Sequence, residues 1–119
     1  MLLKFYDNKR TPYAYTEDKK TIYTYTGKPI AYIDTDHIYA FNGTHLGFYE
    51  DGNIWDHNGE IMLFTKYSIR GPLKPKKSLM PLKKLKSKMP LKGKKVLKPR
   101  KPLKSYKWSS SSLSDIFLA

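Results

Sequence analysis

The sequence predicts an all-β domain of four β-hairpin repeats, followed by a basic tail of a different kind. Three observations predict it. Matching columns recur sixteen residues apart: Ile22, Ile38 and Ile54; Tyr23, Tyr39 and Trp55; Gly27, Gly43 and Gly59; Tyr32, Phe48 and Phe64. Turn pairs such as Asn42-Gly43 and Asn58-Gly59 lie between short apolar runs, where a tight hairpin needs residues that accept positive φ. The charge also divides. Residues 1–65 carry six Lys/Arg against nine Asp/Glu, a net −3, and residues 66–119 carry seventeen against Asp115 alone, a net +16.

Four units follow from the columns: Phe5–Thr21, Ile22–His37, Ile38–Asn53, and Ile54 to about Ser68. The first is degenerate, with Arg10 where the others place the turn glycines Gly27, Gly43 and Gly59. Its polar turn, Asp7 to Thr11, precedes Pro12, which like Pro29 sits near a strand start where a missing N–H is tolerated. Glu17 to Lys20, Asp34 to His37 and Glu50 to Asn53 are connections on the rim opposite the hairpin turns. One hairpin alone is marginal in water, whereas four, stacked or arranged radially, can share a core. Ala14, Ala31 and Gly47 fall in one column that permits close backbone approach, and Leu63 breaks it. The aromatic column Tyr15, Tyr32, Phe48 and Phe64 faces the other way, since neighbours on a strand alternate. Tyr23, Tyr39, Trp55, Tyr32, Phe48 and Phe64 are the expected structural core of a domain spanning 1–70.

The run GKPIAYIDTDHIYAFNGTHLGFYEDGNIWDHNGE, with the following GP, the Lys-rich triplets and the closing KWSSSSL, resembles the bacterial four-fold β-flower domain family over nearly the whole chain. The resemblance implies four hairpins set as petals about a pseudo-four-fold axis. It implies no activity, so no catalytic or binding residue carries over from it.

Gly71-Pro72 marks a boundary. From Pro72 to Lys107 the chain reads as twelve triplets, PLK PKK SLM PLK KLK SKM PLK GKK VLK PRK PLK SYK. The third place is Lys except at Met80 and Met89, and the second is mostly Leu. A nine-residue beat places Pro72, Pro81, Pro90 and Pro99. Repeated proline would break an α-helix. A period of three suits polyproline II, so 71–107 is expected to be extended or disordered. One edge would then be lysine: Lys74, Lys77, Lys83, Lys86, Lys92, Lys95, Lys98, Lys101, Lys104 and Lys107. Another would be leucine, fit to dock on the β domain, a second copy or a membrane surface. Residues 108–119 form a Ser-rich, apolar end that either returns to the core or docks on a partner.

The lysine edge is the expected anion-binding site, with nucleic acid the first partner named and a membrane surface the second, through counterion release and surface attraction. The alternative is a structural or protein-interaction module whose tail packs on the β domain or mediates homo-oligomers. An enzyme with a metal-dependent rim site at His37, His45 or His57 is a third reading. Those histidines occupy different columns, so convergence is not implied. The acids Asp34, Asp36, Glu50, Asp51, Asp56 and Glu60 sit in turns, where they serve backbone geometry. No catalytic residue, metal ligand, cofactor or small-molecule substrate is expected. With 119 residues, no cysteine, no signal peptide and no apolar span, a cytoplasmic location is expected.

Overall fold

Alternating side chains and tight glycine turns produce eight short antiparallel strands in the computed structural model, which describes residues 2–69 and 81–118. They are β1 (Leu3–Tyr6), β2 (Pro12–Thr16), β3 (Thr21–Thr24), β4 (Pro29–Asp34), β5 (His37–Tyr39), β6 (His45–Glu50), β7 (Asn53–Trp55) and β8 (Ile61–Phe64). Each pairs with the next, and β1 closes on β8 through Tyr6 and Phe64, giving a closed barrel. Among the described residues the one helix is α1 (Leu113–Phe117) and the rest of the regular structure is β.

The register repeats the sequence columns. Phe5 faces Ala14, Ile22 faces Ala31, Ile38 faces Gly47 and Ile54 faces Leu63, one pair per petal. The register shifts immediately after the first residue of each pair, so every petal bends at the same point. Phe5, Ala14, Ile22, Ala31, Ile38, Ile54 and Leu63 lie in one core cluster and have no exposed surface. An interior of eight strands holds little more than side chains, which is why a large residue meets a small one in three petals. In the fourth petal Leu63 stands in the small-residue column opposite Ile54, and its neighbour Met62 packs toward Gly47.

Five of the six aromatics expected as the structural core are buried, but outside the central cluster: Tyr32 and Tyr39 share one outer cluster, and Phe48 and Trp55 another. Tyr23, Tyr39, Trp55, Tyr32, Phe48 and Phe64 are the strand neighbours of the interior residues and so face outward. They form the seams between petals: Tyr15 opposite Tyr23, Tyr32 opposite Tyr39, Phe48 opposite Trp55, and Tyr6 opposite Phe64. Three seams are stacked rings, with centroids 5.9, 5.8 and 5.5 Å apart in the first, second and closing pairs. All six except the half-buried Tyr23 are nonetheless buried, because the tail covers them.

The tail is docked. Residues 81–107 hold neither helix nor strand, yet they follow the hairpin turns through backbone hydrogen bonds. Lys84 and Ser87 donate N–H to the carbonyls of Tyr25 and Gly27 on the second petal, and Gly93 and Val96 donate to Phe41 and Gly43 on the third. Ser105 donates to Gly59 on the fourth, and a parallel bridge joins Ile61 to Trp108. The nine-residue beat of the tail is thus matched to the sixteen-residue beat of the petals. Beyond it, α1 returns Phe117 to the core cluster, 6.1 Å from the Tyr13 ring. The triplets at 72–80, with Lys74 and Lys77, lie outside the described residues.

Candidate functional site

The belt made by residues 81–107 has three edges, and the triplets assign a role to each. First-place residues face the turns and donate the N–H groups named above; Pro81, Pro90, Pro99 and Pro102 stand in that place where no such bond is formed. The second-place carbonyls of Leu85, Lys94 and Leu103 press on the turn glycines. A Cβ on Gly27, Gly43 or Gly59 would lie 1.9, 1.9 or 2.0 Å from those oxygens, and each glycine also has positive φ.

Third-place lysines turn inward, over the seams. The Nζ atoms of Lys83 and Lys86 lie 5.1 Å from the ring centres of Tyr15 and Tyr23. Lys92 and Lys95 lie 4.4 and 5.7 Å from Tyr32 and Tyr39, and Lys104 lies 5.3 Å from Trp55. Each cation is attracted by the negative face of its ring. Past the rings, third-place ammonium groups also reach acids on the connections between petals. Lys83 and Lys86 bond Glu17. Lys95 is 2.5 Å from Asp34, and Lys98 is 3.7 Å from it. Lys101 bridges Asp36 and Glu50, and Lys104 bridges Glu50 and Asp51. These lysines hold the carboxyls of Glu17, Asp34, Asp36 and Glu50 below their ordinary range.

The lysine edge and the leucine edge therefore exchange the places a hydrophobicity argument gives them. The leucine edge does not dock on the β domain. Lys83, Lys86, Lys92, Lys95, Lys98, Lys101 and Lys104 meet the chain's own rings, hydroxyls and acids, and Lys107 is exposed. From Leu82 to Leu103 the second-place side chains point away, whereas Tyr106 in the last triplet turns in against Trp55, ring centroids 5.4 Å apart. Leu82, Leu85, Leu91, Leu97 and Leu103 are at least 90% exposed, and Lys88, Lys94 and Arg100 stand among them on the same edge. Among the described residues no ion pair involves Lys84, Lys88, Lys94 or Arg100.

The three histidines do converge. His37 Nδ1 lies 2.9 Å from His45 Nε2, and His45 Nδ1 lies 2.8 Å from His57 Nε2. His37 Nε2 faces Asp36 at 3.4 Å. The pattern is a chain rather than a cluster, because His45 uses nitrogens on opposite sides of its ring. One ion could not take a nitrogen from all three in this arrangement, and among the described residues no group of three or more such side chains could hold a metal. Burial and the neighbouring rings push His45 down to about 4, and His37 is lowered by burial as well. Column position hides this chain. The hairpin register is the signal that finds it, since Tyr39 faces His45 and His37 faces Phe48 across the third petal. Asp56 serves its turn as expected: Oδ1 accepts N–H from Asn58 and Glu60.

The family model described as "4-fold beta flower protein" matches residues 3–117. No curated protein matches the chain. No solved structure matches it either.

Proposed function

The chain belongs to the 4-fold beta flower family, and from that premise we propose that it is a non-enzymatic binding module. Its barrel is a scaffold clasped by its own tail, and the outer edge of the belt engages an anionic partner. One observation carries this reading: the outward side chains of 82–103 include cations and leucines and no acid, in a chain whose only acid after residue 65 is Asp115. The inward lysines have another task. They tie the belt to the barrel, where rings and carboxylates already receive them.

Nucleic acid, the partner named first from sequence, would on this arrangement be met by Lys84, Lys88, Lys94, Arg100 and Lys107 rather than by the whole lysine edge. Five phosphate contacts would make log K for a duplex fall with log salt at a slope of about −4.5. The test is a binding titration of the intact chain on duplex DNA and on anionic vesicles at several salt concentrations. Lys88→Gln, Lys94→Gln and Arg100→Gln together should weaken whichever interaction is real. Those side chains are exposed, so the melting temperature should stay within about 2 °C of the parent. Unchanged binding in this triple variant would remove the reading.

A further inference from the structure

The geometry points to an anionic lipid bilayer as the partner of the belt's outer edge, an inference that rests on the anionic-partner reading above and names the class. The argument begins with spacing. Same-edge residues in a three-residue period stand about 9 Å apart when extended. Leu91, Lys94, Leu97, Arg100 and Leu103 therefore alternate apolar and cationic along one sector, between the third and fourth petals. Leucines separated by cations do not make the continuous apolar patch that a protein groove requires. A bilayer takes each apolar side chain separately, while the cation beside it meets headgroup phosphates.

Nucleic acid would satisfy the cations and leave the leucines in water. A second copy would bring like charges together, because the same edge carries no acid. The leucines are also not needed by the fold. Hydrogen bonds, rings and ion pairs hold the belt through its other two edges, and Leu91, Leu97 and Leu103 are each at least 93% exposed, so their removal uncovers little.

Association should be additive. Each cation near an anionic surface gives about a fivefold gain in partitioning, and each inserted leucine gives a comparable or larger factor. Neither class alone would hold the molecule firmly at ordinary salt, and the two together would.

The test is co-sedimentation of the intact chain with vesicles of phosphatidylcholine containing 30% phosphatidylglycerol, against phosphatidylcholine alone. Partitioning to the anionic vesicles should exceed the neutral ones by about tenfold or more. The combined Leu91→Ala, Leu97→Ala, Leu103→Ala variant should lose about a hundredfold. Its melting curve should not move, and any binding to a DNA duplex should be unchanged. Loss on Lys88→Gln, Lys94→Gln and Arg100→Gln without loss on the leucine variant would overturn the lipid assignment and leave the anionic partner standing. Binding to duplex but not vesicles, or self-association that the leucine variant abolishes, would overturn it as well. No binding to vesicles or duplex would end both readings.

Discussion

His45 occupies a ring-lined position where a charge is poorly tolerated. Tyr39 and Phe48 pack on it at 5.1 and 4.9 Å, and its two nitrogens are taken by neighbouring imidazoles. Protonating it would put a second donor proton into a contact that needs an acceptor, besides desolvating a charge. Its folded value of about 4 lies below the ordinary 6.5, and His37 is shifted the same way; Asp36 and Asp34 raise His37 while Lys98 and Lys101 lower it. Between those values the unfolded chain binds more protons than the folded one, so stability should be complete above about pH 6.5 and decline as pH falls toward 4. The limiting slope is about 1.4 kcal/mol per pH unit for each histidine. Below about pH 4.5 the carboxylates of Glu17, Asp34, Asp36 and Glu50, held low by their lysines, lose their own contribution as they protonate. Denaturation midpoints from pH 7 to 5 should show the histidine part, and His45→Phe should flatten that range. A parent protein with no slope there would contradict the assignment. Nothing in the column alignment announced this chain, because it is made by a hairpin diagonal and a neighbouring turn, neither of which shares a repeat position.

The belt behaves as an element although it has no regular secondary structure. Its order comes from three roles per triplet, and the distribution of proline is the best sign of them. Proline cannot donate, and it stands in first place where the belt makes no bond to a turn. Where a bond is made, the residue is Lys84, Ser87, Gly93, Val96 or Ser105. The fourth petal confirms the logic by its exception: Pro102 is nine residues after Gly93, and no belt bond comes from it, while Ser105 keeps the companion bond to Gly59. Val96→Pro should therefore remove the 3.0 Å bond to Gly43 and push the ring toward the turn. A loss of about 1 kcal/mol or more is expected, with faster tryptic cutting at Lys92 and Lys94. Chemical denaturation and a digestion time course would check it, and an unaltered midpoint would show that this clip carries no weight. The period of three, the lysine edge and the leucine edge were all legible in the sequence. The direction each edge faces was not. Burial of leucine argues for the reverse, and it fails because the surface to be covered is aromatic and acid-rimmed. A lysine stem over a ring with its ammonium on a carboxylate fits that surface better than a leucine does.

At the scale of the molecule the two halves with opposite charge are halves of one structure. A net −3 barrel and a net +16 tail read as a domain with an appendage; the four hairpins were legible as columns spaced at sixteen, their petal arrangement came from the family resemblance, and closure of β1 on β8 was not anticipated. The tail's contribution was hidden because it acts on outward faces that the repeat pattern alone assigns to the core. Without the belt, the seams at Tyr15, Tyr32, Tyr39, Phe48 and Trp55, now at most 5% exposed, would face water. Without α1, Phe117 would leave the core cluster, a change of the kind that costs about 3–5 kcal/mol when a buried Phe is truncated. Exposed ion pairs contribute little singly, so high salt alone should not detach the belt. Ring stacking, backbone bonds and the plug at Phe117 persist when charges are screened. Deleting 71–119 should accordingly abolish cooperative melting and expose apolar surface to a hydrophobic dye. Deleting 109–119 should lower the melting temperature and leave a single transition. The intact chain should resist trypsin at Lys83, Lys86, Lys95 and Lys104 even in 0.5 M salt, while the outward Lys88 and Arg100 are cut first. A truncation at residue 70 that melts cooperatively at the parent temperature would show the barrel to be self-sufficient, and the belt would then be a passenger rather than part of the fold.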